Sequence, residues 1–214
     1  MELDHVLLAV EDLADAGRRL RERHGLDSIE GGRHAAWGTA NRIVPLGDCY
    51  LELIAVVDAR RAAASEFGRW VAACASTTLR PFAWAVRTPR LEEIAVRLGL
   101  TVGDGSRTTP DGQRLRWRSA GLERSAGEPS LPFFIEWEDL ARHPGRVAVR
   151  HAAGNARIAQ LVIDADRAHL AEWLGDHQLP VEVHEGKPAV RLIRIKTDAG
   201  ETSIGAHGSE SSAD

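Results

Sequence analysis

The stretch GGRHAAWGTANRIVPLGDCYLELIAVVD, from Gly31 to Asp58, carries a carboxylate inside an apolar strand. Alternation along this strand puts Leu51, Leu53, Ala55 and Val57 on one face and Tyr50, Glu52, Ile54 and Val56 on the other. An ionised Glu52 without partners on a buried face would be strongly destabilising. It must therefore be paired, bound to a metal, or open to a polar cavity, and the cavity, with or without metal, is the working reading. His34 stands in a glycine-flanked segment with Trp37, Gly38, Thr39 and Asn41. Its imidazole, neutral and basic near physiological pH, is a candidate general base or replacement metal ligand; the alternative is a strand-end His and Asn holding a turn together. Glu136 is a second acid in an apolar run, bracketed by Phe133, Phe134, Ile135 and Trp137, and is the other candidate base. Trp37, Asn41, Trp84, Trp117 and Phe134 are candidate walls of a substrate pocket, although alternation sends about half of any such aromatic set into the core instead. Arg114, Arg116 and Arg118 share one strand face and read as a solvated face, with carboxylate or phosphate binding as the alternative.

The elements that must position these groups recur along the chain. Leu3 to Val10 alternates as a strand, with His5 on the face of Leu7 and Ala9; Asp12 caps a helix that Gly25 stops; short strands follow near 33–37, 42–46 and 50–57. This is a β-α-β-β-β unit. A connecting helix spans the Ala-rich segment 59–78, and then the pattern returns. A strand near 80–86 leads to Thr88-Pro89 as cap and first helical position, a helix over 91–98 stopped by Gly99, and strands near 106–108, 114–119 and 132–137. RERHGLDS and AVRLGLTV mark the same event in each unit. A third, shorter copy begins at Ala156 with a strand, Asp166 as cap and a helix to Leu174. The expected organisation is a first module at 1–58, a connecting helix at 59–78, a second module at 79–140, a C-terminal α/β extension at 141–205 and a disordered tail at 206–214.

Composition excludes several classes. With 214 residues, 43% apolar and 27% charged, the chain can bury a sizeable core. No apolar run approaches the ~20 residues that cross a bilayer, and acidic residues occupy the N-terminus where a secretory signal is basic, so a cytoplasmic protein is expected. A net charge of −4 with scattered arginines gives no reason to expect nucleic acid. Lysine occurs only at Lys187 and Lys196, an Arg-for-Lys bias pointing to a GC-rich bacterial coding sequence. Cys49 and Cys74 read as reduced core thiols. His143, His151, His169, His177, His184 and His207 share no spacing and read as surface or loop residues, with His151 in reserve as a ligand.

The phrases LDHVLLAVEDL, GGRHAAWGTANRIVPLGDCYLELIAV and LPFFIEW resemble the glyoxalase-like branch of the vicinal-oxygen-chelate superfamily, which includes glyoxalase I, bleomycin-resistance proteins and extradiol dioxygenases. The resemblance covers roughly Leu3 to Trp137. It implies an α+β fold of paired βαβββ modules enclosing a cleft, here with an added C-terminal α/β segment. In metal-dependent members, ligands come from the first and last strands of each module; the matching positions are His5 and Glu52. In the second module, sliding Val10 onto Val86 places Pro81 at the histidine position, so a full ligand set is not visible. Mn, Fe, Ni or Zn are the divalent cations such donors would suit. The first expectation is a metal-assisted lyase, isomerase or dioxygenase acting on a small oxygenated organic substrate, with Glu136 or His34 moving a proton. The second is a metal-free small-molecule binding protein of the bleomycin-resistance kind. Proteins of this resemblance commonly form dimers, so a homodimer is also compatible.

Overall fold

A computed structural model describes residues 1–205, and the expected tail at 206–214 lies outside the described residues. Strand β1 (Glu2–Ala9) leads into helix α1 (Leu13–His24), where the Asp12 carboxylate accepts the Asp15 N–H at 2.8 Å and Gly25 closes the helix in the left-handed conformation. Strands β2 (Ile29–His34), β3 (Thr39–Pro45) and β4 (Tyr50–Val56) complete the first module. Strand β2 starts four residues earlier than expected, because the Gly31-Gly32 pair lies inside it at a bulge and does not open it. A side chain at Gly31 would collide with Asn41, so the glycine lets the two strands approach.

The connecting segment is two helices where one was expected, α2 (Ala59–Ala64) and α3 (Glu66–Cys74). Ser65 is extended between them and its hydroxyl accepts the Gly68 N–H, so one residue ends the first helix and caps the second. The second module comprises β5 (Pro81–Arg87), α4 (Leu91–Leu98), β6 (Val102–Thr108), β7 (Arg114–Ala120), a short α5 (Leu122–Gly127) and β8 (Phe133–Trp137). Helix α4 begins after Arg90 without a side-chain cap, while Thr88 accepts the Arg90 N–H in the turn before it; the expected Thr88 cap is two residues early. Strand β6 is longer than its Gly-rich sequence suggests. Full pairing with β7 overrides the weak strand propensity of Val102 to Ser106, and Gly105 lies directly beneath the Trp117 indole.

Within each module the first strand runs parallel to the last: β1 pairs with β4, β5 with β8. The modules join through antiparallel β1 and β5 and through a single β2–β6 pair, Arg33 with Thr108, closing a barrel in the order β1-β4-β3-β2-β6-β7-β8-β5. The C-terminal unit comprises β9 (Ala156–Asp164), α6 (Arg167–Leu174), β10 (Val181–His184), β11 (Ala189–Thr197) and β12 (Gly200–Gly205). It is not a third copy of the module: β9 sits between β10 and β11, giving the order β10-β9-β11-β12.

Alternation divides the apolar residues into two cores. Leu7, Ala9, Ile43, Ile54, Ala83, Ala85, Phe133 and Ile135 fill the barrel. Val6, Leu8, Leu51, Leu53, Trp84, Val86 and Phe134 face outward against helices and the C-terminal sheet, which contributes Leu161, Ile163, Ile193, Ile195 and Ile204. Phe134 stacks on Trp173 of α6 with ring centroids 5.8 Å apart. The C-terminal unit therefore covers apolar barrel surface. No helix among the described residues is long and apolar enough to cross a membrane.

Candidate functional site

The polar groups of the barrel interior form one connected cluster. A register shift between Leu3 and His5 interrupts the pairing of β1 with β5, and both Asp4 and His5 are buried, 0% and 3% exposed. Asp4 Oδ1 lies 2.5 Å from His5 Nδ1, while Oδ2 accepts the Trp137 indole N–H at 2.9 Å and the His143 Nε2–H at 3.0 Å. Burial alone would raise the Asp4 pKa, but the hydrogen bonds and charges of His143 and His5 hold it well below the usual carboxylate range. An ionised Asp4 only accepts, so the proton on that edge of His5 sits on Nδ1 and the Nε2 edge is turned to the interior.

His5 Nε2 is 3.5 Å from Glu52 Oε2, and the His5 ring stacks on Tyr50, centroids 4.6 Å apart. Both positions arise from parallel pairing: β1 and β4 align His5 with Tyr50 and Leu7 with Glu52, so the inward residues of the two strands interleave. Glu52 Oε1 accepts the Asn41 Nδ2–H at 2.5 Å, and Asn41 Oδ1 accepts from Arg107 at 3.0 Å. His34 Nε2 reaches to 4.0 Å from Glu52 Oε1, with Nδ1 3.1 Å from the Thr39 hydroxyl. Burial pushes the His34 pKa down to about 4 against the opposing pull of Glu52, with Arg107 and His5 adding to the lowering. His34 is thus neutral at physiological pH. Burial, with Asp4 and Glu52 adding to it, pushes the Tyr50 hydroxyl well above its usual range, so it remains a donor.

Two spaces adjoin the cluster. An inner chamber of 30 Å³ touches His5, His34, Asn41, Tyr50, Glu52 and Arg107, and Trp37, Trp117 and Trp137 wall it. An open cleft of 1330 Å³ shares His34, Trp37, Arg107, Trp117, Ile135 and Trp137 with the chamber. The arrangement suits a ligand whose body occupies the cleft and whose small polar head reaches the acid-base pair.

Of the residues singled out in the sequence, His5, His34, Trp37, Asn41, Glu52 and Trp117 come together here. Glu136 does not. Alternation in β8 turns it away from Ile135 and Trp137 and out of the chamber; it borders only the open cleft, where Arg118 binds it while also reaching Glu92 of α4 at 2.5 Å. Trp84 and Phe134 likewise face the outer core, where the Trp84 N–H donates to the Ser130 carbonyl at 2.9 Å, so neither borders the chamber. His143, read as a surface residue, is fully buried against Asp4, and its Nδ1 accepts the Gly145 N–H at 3.2 Å. His151, the reserve ligand, ties the segment before β9 to the first module through the Pro45 carbonyl and the Asp27 N–H. The sequence reading missed Asp4, Arg107 and the part played by Tyr50. Asp4 had a signal, an acid beside His5 in an apolar strand; Arg107 had none, since its inward direction is set by the pairing of β6.

The resemblance assigns His5 and Glu52 to a divalent cation, and the donor set does not suit one. Among the described residues no three His, Cys, Asp or Glu side chains converge as a metal group. Glu52 Oε1 is engaged by Asn41, and the cationic Arg107 stands behind that amide. The inward positions of β5 and β8 include Ala83, Ala85, Phe133, Ile135 and Trp137, none of which offers a metal ligand where a cation needs several nitrogen or oxygen donors.

The family model described as a glyoxalase-like domain matches residues 3–179. A hypothetical protein from Staphylococcus aureus superposes with a TM-score of 0.70 at 14% identity, covering 92% of this chain and 91% of its own. Methylmalonyl-CoA epimerase from Mycobacterium tuberculosis gives a TM-score of 0.44 at 18% identity over 63% of this chain and 85% of its own. No curated protein sequence matches the chain. At 14% identity the Staphylococcus aureus structure shows likeness of fold alone.

Proposed function

The chain belongs to the glyoxalase-like domain family, and we propose that it is an enzyme that moves a proton on carbon next to a carbonyl in a small oxygenated molecule, an isomerase or lyase working without a resident metal. The observation that carries this reading is the His5–Glu52 pair, 3.5 Å apart, buried, and backed on the far side of the imidazole by the ionised Asp4. Glu52, held by Asn41, takes the proton; His5, fixed in one tautomer by Asp4, shares it and returns it to the neighbouring carbon or to the leaving oxygen. The Tyr50 hydroxyl, kept protonated by burial, donates to the carbonyl oxygen as negative charge develops there. The aromatic walls exclude water and keep these charges strong. All these side chains come from one chain, so a second copy is not needed to complete the chamber.

The test is hydrogen exchange of small 2-oxo and 2-hydroxy compounds in deuterated water, followed by NMR on chelator-treated protein. We expect exchange at the carbon next to the carbonyl, reduced roughly 10²- to 10⁴-fold in His5→Ala. Exchange that appears only after divalent metal is restored would replace this reading with a metal-assisted one. Tight ligand binding with no exchange would leave a binding protein.

A further inference from the structure

Arg107 is 5% exposed, yet among the described residues its guanidinium makes one hydrogen bond, to the neutral amide oxygen of Asn41. Among the described residues no carboxylate pairs with it; Glu52 acts on it only at longer range, through Asn41. A guanidinium has five N–H donors in a planar fork and stays charged in proteins. Burying one without an anionic partner is costly, and burial indeed disfavours its charged form here. The fold maintains the arrangement nevertheless. Gly31 has no side chain where a methyl group would strike both Asn41 and Arg107, so the backbone of β2 leaves room for the amide and the guanidinium to meet.

The position of this guanidinium indicates its partner. Arg107 borders both the inner chamber and the open cleft, at the passage between them, and the chamber beyond holds Glu52 and His5. We infer that Arg107 is the anchor for a carboxylate on the substrate, so that the molecule turned over is a small 2-oxo or 2-hydroxy acid. The carboxylate lies against the free edge of the guanidinium while the adjacent carbon faces the acid-base pair. Asn41 keeps the two functions apart: its amide donates to Glu52 and accepts from Arg107, so neither neutralises the other directly. The turnover of that acid rests on the proposed proton-transfer reading, but its binding is measured separately.

Calorimetric titration with pyruvate and with its neutral amide, pyruvamide, tests it without needing turnover. In the wild-type protein the acid binds roughly ten- to hundredfold more tightly than the amide, the range of a charge-assisted paired contact. Arg107→Gln removes that gap by weakening the acid and leaving the amide unchanged. Arg107→Lys, which keeps a point charge but not the fork, retains a smaller preference for the acid. The gap persists in Glu52→Gln, where proton transfer is disabled, so a failure of catalysis leaves this result standing. Equal affinity for acid and amide in the wild-type protein, or an undiminished gap in Arg107→Gln, overturns the inference.

Discussion

The two modules share one topology and present opposite chemistry to the interior. The inward positions of β1 and β4 carry His5, Tyr50 and Glu52 among Leu7, Ala9 and Ile54, while those of β5 and β8 carry Ala83, Ala85, Phe133 and Ile135. To the inner chamber the second module contributes walls, Trp117 and Trp137, and the cation Arg107, while its Arg87 approaches Asp4 to 4.0 Å. Pairing the modules therefore does not build a symmetric site. The first half supplies proton-handling groups and the second supplies the dry, aromatic enclosure that makes them strong.

Asp4 is where the halves are tied, since its carboxylate accepts from β8 through Trp137 and from the following segment through His143. Asp4→Ala leaves those donors and His5 without an acceptor in the barrel. It should cost about 3–5 kcal/mol in urea unfolding, whereas a loss below about 1 kcal/mol would mean the tie is unimportant. The acid range gives the next largest effect. The His34 pKa is about 4 in the folded chain and near the ordinary histidine value of 6.5 when unfolded. Between these values the unfolded state binds more protons, so the stability present above pH 6.5 is lost as pH falls toward 4, on the order of 3 kcal/mol in all. Asp4 adds its own loss only at lower pH, because its carboxyl is depressed from the ordinary carboxylate value. His34→Gln should flatten the stability profile between pH 6.5 and 4, and an unchanged slope would show that His34 is not buried neutral.

Gly31→Ala sharpens the contrast at the point where the modules meet. The new methyl displaces the Asn41–Arg107 contact, so we expect a loss of about 1–3 kcal/mol together with a diminished preference for pyruvate over pyruvamide. The smallest effect belongs to the outward acid. Glu136→Gln removes a partly exposed ion pair with Arg118, and exchange activity should stay within about twofold of wild type.

Much of this was legible in the sequence because alternation is a local property. The apolar strand around Glu52 and the strand carrying His5 fix which residues share a face, and the family resemblance brings the two strands side by side. Glu136 shows where that reasoning stops. An acid in an apolar run looks the same whichever face is inward, and only the pairing of β8 with β5 and β7 decides that Phe133, Ile135 and Trp137 point in. His143 and Asp4 form a contact across 139 positions, which no local pattern reports. The third repeat failed for a related reason: strand-helix-strand order is visible in sequence, but the placement of β9 between β10 and β11 is a matter of long-range pairing.

The acids in the last strands of the two modules permit the most direct test. Solvent-deuterium exchange into a 2-oxo acid should fall roughly 10²- to 10⁴-fold in Glu52→Gln and barely change in Glu136→Gln. Equal losses in the two variants, or a loss confined to Glu136→Gln, would contradict the assignment of the chemistry to the inner face of the first module.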